Sequence, residues 1–157
     1  MAVQPIPAGY HSVTPYLIVR GASRAIDFYR KAFGATQEVR LDGPGGAVMH
    51  AEVRIGDSRV MLADEHPAMG AVGPESLNGT SVGLLIYVPD VDARFAQAVA
   101  AGAKVERPVA DQFYGDRAGT VLDPFGHKWT IATHIEDVSD EEINRRFAAM
   151  MAKQPGN

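Results

Sequence analysis

Strand-like and helix-like periodicities alternate along this chain in a fixed order. Ser12–Val19 (SVTPYLIV) is rich in β-branched and aromatic residues and reads as a strand. Pro15 marks an edge position or an irregularity there, because proline cannot donate to a ladder. In SRAIDFYRKAF, 23–33, Ile26, Tyr29 and Phe33 recur at i, i+3 and i+7, one apolar face of a helix, and Gly34 stands where a helix stops. Strand-like runs follow at Thr36–Leu41, Val48–Ile55 and Arg59–Ala63, the last two joined by Gly56-Asp57, a pair suited to a tight hairpin. Residues 64–80, DEHPAMGAVGPESLNGT, are punctuated by glycine and proline and read as a linker. The order then recurs: strand Val82–Val88, helix Val91–Ala101 with Val91, Phe95 and Val99 on one face, a stop at Gly102, and strands Lys104–Val109, Gly119–Leu122 and Lys128–Thr133.

The recurrence has a register. PYLIV at 15–19 lies 69 residues before LLIYV at 84–88, and VMLA at 60–63 lies 69 residues before WTIA at 129–132. The pattern predicts an α+β fold of two tandem β-α-β-β-β modules, duplicated and fused. Within one domain spanning 1–157, module one covers about 11–64, the linker 65–80 and module two about 81–134. A helix over about 139–153 completes it: Ser139 with Glu142 has capping-box spacing, and Ile143, Phe147, Met150 and Met151 form an apolar stripe. That stripe suits docking on the chain itself or on a second subunit; a methionine-rich ligand groove is the alternative.

Composition narrows the partners. Hydrophobic residues make up 46% and charged residues 22%, enough for a packed core. The formal charge of −4 and the lack of a basic stripe argue against nucleic acid. There is no cysteine, so disulfides, thiolate metal sites and a cysteine nucleophile are excluded. No apolar run reaches membrane-spanning length. MAVQPIPAGYH shows no signal-peptide pattern, and the expected location is the cytoplasm.

The paired modules, IDFYRKAFGA at 26–35 and DPFGHKW at 123–129 together resemble the glyoxalase/bleomycin resistance/dioxygenase family, also called the vicinal oxygen chelate fold. MHAEVRIGD, FYGDR and DPFGHKW are similar to segments of its PhnB-like branch. The resemblance, over about 11–134, implies a mixed sheet curled around a cleft, often completed by a second subunit. In metal-binding members, ligands lie on corresponding strands of each module. Those positions here are Thr14, Met61, Gly83 and Thr130, which offer no carboxylate or imidazole. The expectation is therefore no metal cofactor. The alternative is one divalent metal at a shifted cluster of His11, His50, Glu52 and His134, serving a lyase, isomerase or dioxygenase with Glu52 as the proton-moving catalytic residue.

Without a metal, strand alternation places Tyr16, Leu85 and Tyr87 around the cleft, with His50 and Glu52 sharing one strand face. Phe113, Tyr114 and Arg117 of QFYGDRAG add aromatic walls and a cation, or Phe113 and Tyr114 close the core. The chemistry expected is sequestration of a small, aromatic or drug-like molecule, at a module or homodimer interface. Trp129 alternates away from Thr130, towards the core. His127 in its turn is expected to be exposed or capping, and His66 solvated.

Overall fold

Pro15 keeps the first ladder short. In the computed structural model, which describes residues 3–153, β1 covers only Tyr16–Val19, although the apolar pattern begins at Ser12. The remaining elements follow the predicted order, except that α2 falls in the stretch read as linker and β7 begins at Asp116 rather than Gly119: α1 (Ala22–Phe33), β2 (Thr36–Asp42), β3 (Val48–Ile55), β4 (Ser58–Asp64), α2 (Pro74–Leu77), β5 (Gly83–Tyr87), α3 (Val91–Ala101), β6 (Lys104–Asp111), β7 (Asp116–Leu122), β8 (Lys128–His134) and α4 (Asp140–Ala152). They form two separate four-stranded mixed sheets, ordered β1-β4-β3-β2 and β5-β8-β7-β6. In each, only the pair next to the open edge, β1 with β4 or β5 with β8, is parallel.

The internal repeat is exact in these parallel pairs. Tyr16 stands opposite Met61, and Leu85 opposite Thr130, each 69 residues from its counterpart. The tethers between strand and helix repeat as well. In module one the Asp64 carboxylate accepts the backbone N–H groups of Gly21 and Ala22 at 2.9 and 2.7 Å and of Val48 at 2.8 Å. At the corresponding place in module two, Thr133 Oγ1 accepts Val91 N–H at 2.9 Å and donates to Val88 O at 2.8 Å. Each side chain satisfies a helix-terminal donor that the helix itself cannot.

One face of each sheet packs on its helix, and α1 packs on α3, so a single apolar core runs through both modules. Leu17, Val19, Ala51, Val53, Val60 and Leu62 point to α1; Val121, Trp129 and Ile131 lie on the helix side of module two. On α3 the buried positions are Val91 and Ala98; Val99, placed on that face by the sequence, is exposed. Ala98 fits because α3 sits close to both its sheet and α1. Gly119 serves the same approach: a Cβ there would lie 2.6 Å from the Phe95 ring.

The turn Asp123–Gly126 clasps the modules together. Asp123 is 3% exposed. Its Oδ1 accepts the N–H groups of Phe125 (2.8 Å) and His127 (2.9 Å). Its Oδ2 accepts the Tyr29 hydroxyl of α1 (2.8 Å) and the Trp129 indole N–H (2.9 Å). Gly126, at φ +90°, closes the turn. His127, expected to be exposed or capping, is instead buried: its Nε2–H donates to Ile18 O of β1 at 3.1 Å. A second bond thus joins this turn to module one.

The linker is partly ordered by its own hydrogen bonds. It carries a 3-10 turn at Pro67–Met69 and α2, and Glu65 Oε1 accepts Gly73 N–H at 2.8 Å. His66 is exposed, as expected. Ser139 caps α4 by accepting Glu142 N–H at 3.3 Å, while the Glu142 carboxylate turns to Arg145 and Arg146 instead of completing a box. α4 buries no residue; it is held by Phe147 against Phe113 (ring centroids 5.6 Å apart) and by Arg146 on Glu136.

Asp123→Ala leaves four donors without an acceptor. At about 1–3 kcal/mol per buried unsatisfied group, with partial relaxation, we expect a loss on the order of 3–5 kcal/mol. Tyr29→Phe removes one donor to a buried carboxylate and should cost about 2 kcal/mol. Urea unfolding midpoints measure both, and equal losses would show that Asp123 is not the hub.

Candidate functional site

Side-chain alternation leaves the other face of each sheet open. Across module one it carries the row Tyr16, Met61, Glu52 and Val39; across module two, Leu85, Thr130, Thr120 and Arg107. Tyr16, Leu85 and Tyr87 are 49%, 50% and 63% exposed, large apolar groups without a covering layer.

On module one a polar chain crosses this face. The Tyr16 hydroxyl bonds His50 Nδ1 at 2.9 Å, and His50 Nε2 bonds Glu52 Oε1 at 3.1 Å. Oε2 of the buried Glu52 accepts the hydroxyl of Tyr10 and, at 3.4 Å, Arg59 Nη1. Tyr10 belongs to the N-terminal arm, and its ring lies 4.4 Å from the Arg59 guanidinium carbon, a cation–π contact. The Tyr10 hydroxyl, followed by His50 and Arg59, holds the Glu52 carboxyl below its ordinary range against the opposing effect of burial. Glu52 is accordingly a weakened base whose oxygens are both engaged.

Module two carries a different network. Asp116, also buried, accepts the Tyr87 hydroxyl at 2.8 Å and bonds His134 Nδ1 at 2.7 Å, while His134 Nε2 faces Asp137 Oδ1 at 2.9 Å. Asp116 first, then Asp137, raises the His134 imidazolium above its ordinary value, and Asp116 likewise raises the Tyr87 phenol. Sequence reasoning missed both Tyr10 and Asp116. Asp116 lies inside FYGDR, but pairing it with His134 needs the β7–β8 register.

The structure groups the anticipated residues only in part. His50 and Glu52 meet, with Tyr16 beside them. His134 sits on module two, and His11 lies 3.8 Å from Asp57, outside any strand. No group of three or more His, Asp or Glu side chains placed to hold a metal occurs among the described residues. The family-implied positions do not fit a divalent cation either: Gly83 has no side chain, Met61 offers a thioether, and Thr130 Oγ1 is engaged by Thr120 Oγ1 at 3.0 Å. Thr14 Oγ1 turns to His11 O.

Arg117 is not on the open face. Its ladder partner is Thr133, on the helix side, and its guanidinium is taken by Asp92 at 2.8 and 2.9 Å and by Asp111 at 2.9 Å. Asp116, one residue before it, takes the open face instead. Phe113 is spent on α4 and on an edge contact with Tyr114, whose phenol is raised by burial. Trp129 is 1% exposed and packs on Phe33, ring centroids 4.7 Å apart. Beside Tyr16 and Ile18, the linker's His66 and Met69 and β3's Met49 wall a hollow of about 350 Å³ on module one.

Residues 9–131 match the family model described as the glyoxalase/bleomycin resistance protein/dioxygenase superfamily. An uncharacterized protein of Mycobacterium bovis is 43% identical over 159 aligned residues, covering 99% of this chain and 100% of that protein. Among solved structures, TioX from Micromonospora sp. superposes with a TM-score of 0.64 at 28% identity, over 80% of this chain and 99% of that one. The PhnB protein of Bacillus cereus, whose full description is putative 3-demethylubiquinone-9 3-methyltransferase, superposes with a TM-score of 0.59 at 20% identity, over 78% and 99%; it is similar in fold. No described helix is long and apolar enough to cross a membrane.

An imidazole pKa raised by folding adds stability below the ordinary histidine value of about 6.5, and that stability is lost as pH rises through the folded value. In an NMR titration His134 should therefore titrate above about 6.5, and in Asp116→Asn its midpoint should fall back towards that value. The stability gap between the two proteins should narrow as pH rises past the native His134 midpoint. An unchanged midpoint in the variant would remove Asp116 as the cause.

Proposed function

The chain belongs to the glyoxalase/bleomycin resistance protein/dioxygenase superfamily, and from that premise we propose that it binds a small apolar or aromatic molecule on its open sheet faces without a resident divalent metal. The observation that carries this is the pairing, on each face, of exposed rings or aliphatic groups with a hydrogen-bonded polar anchor. Tyr16 stands beside His50 and Glu52; Leu85 and Tyr87 stand beside Asp116 and His134. Apolar walls with a few fixed polar groups suit small-molecule recognition. The donors at the family's metal positions are poor ones, and Glu52 is too firmly bonded to favour proton abstraction. This reading makes the protein a sequestering member of the superfamily rather than a lyase, isomerase or dioxygenase.

A second copy completes the site. Because α1 and α3 pack on each other within one chain, the open faces of both sheets need cover from outside. A symmetric homodimer supplies it by laying one module face over the partner's. The exposed Phe147, Met150 and Met151 of α4 extend the apolar surface available to that contact.

Tag-free protein purified without chelator should sediment as a dimer and hold less than about a tenth of an equivalent of nickel, zinc, iron or manganese after exposure to each. A panel of planar aromatic compounds, screened by thermal shift, should yield ligands whose affinity falls about tenfold in Tyr16→Ala and in Tyr87→Ala. One bound metal per chain, or affinities untouched by both substitutions, would overturn the reading.

A further inference from the structure

A groove of about 680 Å³ lies between the modules along the free edge of β5, taking in Leu84 and Ile86 from the helix side and reaching Leu85 and Tyr87 of the open face. Its volume falls within the range of about 300–1,000 Å³ typical of small-ligand sites. Its lining is mixed: Phe33 at the end of α1, Ile55 at the end of β3 and Trp129 lie buried at the floor, Leu84 and Ile86 of β5 reach the surface, and Asp57 and Ser58 stand at the rim. One cation reaches it. Arg94, on α3, lies against the C-terminal end of α1, where a Cβ on Gly34 would stand 3.4 Å from its Nη1.

Arg94 is half-buried and has no carboxylate within ion-pair distance among the described residues. Its Nη1 donates to Gln97 Oε1 at 3.2 Å, which leaves most of its five N–H donors unused by side-chain acceptors. Arg117, by contrast, is matched by two carboxylates. Asp57, at the groove's rim, is turned to the Ser58 hydroxyl and to His11. β5 is an edge strand bonded only to β8, so the backbone groups on its other side are free to bond an occupant.

We propose that this groove binds a small apolar or aromatic monocarboxylate, its hydrocarbon against Leu84 and Ile86 above the Trp129 floor and its carboxylate on the Arg94 fork. A guanidinium and a carboxylate form two parallel charge-assisted hydrogen bonds, about twice as strong as neutral ones. A neutral analogue keeps the apolar contacts and loses this pair.

Trp129 is the chain's single tryptophan, so its emission reports directly on the groove. The test titrates 4-phenylbutyrate, and separately its neutral amide 4-phenylbutanamide, into the full-length protein while exciting the indole. The acid should change the emission saturably, and the amide should bind at least about fivefold more weakly. Arg94→Gln should weaken the acid to the level of the amide and leave the amide unchanged, with Arg94→Lys intermediate because a point charge replaces the fork. No saturable change with the acid, or equal affinity of the acid for native and Arg94→Gln protein, overturns the proposal. Should Arg94→Gln fail to fold, the comparison of acid with amide on the unaltered chain decides: equal binding overturns it.

Discussion

A buried carboxylate joins the two halves of this molecule. Asp123 receives two backbone N–H groups from its own turn, the indole of its own module and the phenol of the other. An unpaired charge there would cost far more than the hydrogen bonds return, so the four donors have to be present together. That requirement fixes α1 against β8 through Tyr29 and Trp129, and seats Phe33 and Phe125 around them. It also directs both helices inward. Once α1 and α3 face each other, the opposite sheet faces can only look outward, and the polar networks on them follow from that orientation.

The duplicated frame and the diverged faces obey different constraints. The helix tether is kept by unlike side chains, Asp64 and Thr133, because either can accept the first free helix N–H. On the open faces nothing comparable is demanded. Tyr16 answers to Leu85, Met61 to Thr130, and Glu52 to Thr120, which the longer Asp123–His127 turn brings into Glu52's place. The two faces therefore present different chemistry: a carboxylate sealed by an arm tyrosine and an arginine on one, a histidine clasped by two aspartates on the other.

Local periodicity was enough to find the elements, because strand and helix periods switch cleanly and the 69-residue offset survives in the parallel pairs. It missed at Pro15, which delays β1, at Val99, where the smaller Ala98 takes the helix contact, and at Asp116, where β7 begins three residues before Gly119. The candidate site was less legible because its bonds span long separations. Tyr10 reaches Glu52 over 42 residues and Tyr87 reaches Asp116 over 29, just as Tyr29 of the clasp reaches Asp123 over 94. Arg117 shows the limit clearly. Its residue type suits a binding site, yet the face it occupies depends on the β7–β8 register, and that register depends on the length of a turn.

The same geometry explains how a chain of this superfamily can lack good donors at the metal positions and keep its fold. None of Thr14, Met61, Gly83 or Thr130 takes part in the clasp, in the tethers or in the contact between α1 and α3. Met61 and Thr130 sit on the open faces, and Gly83 begins an edge strand. The scaffold is held from the helix side, so a change on the open side costs little packing. What does constrain that side is burial of charge. Glu52 and Asp116 lie in it nearly covered, and each persists only with its full set of donors. Substituting a face residue that touches neither carboxylate changes only the surface of the face; removing Tyr10, His50, Tyr87 or His134 also disturbs a buried charge. Leu85, Met61 and Thr130 can thus change with little effect on the frame, while Tyr10, His50, Tyr87 and His134 are held by the cost of leaving a carboxylate without partners.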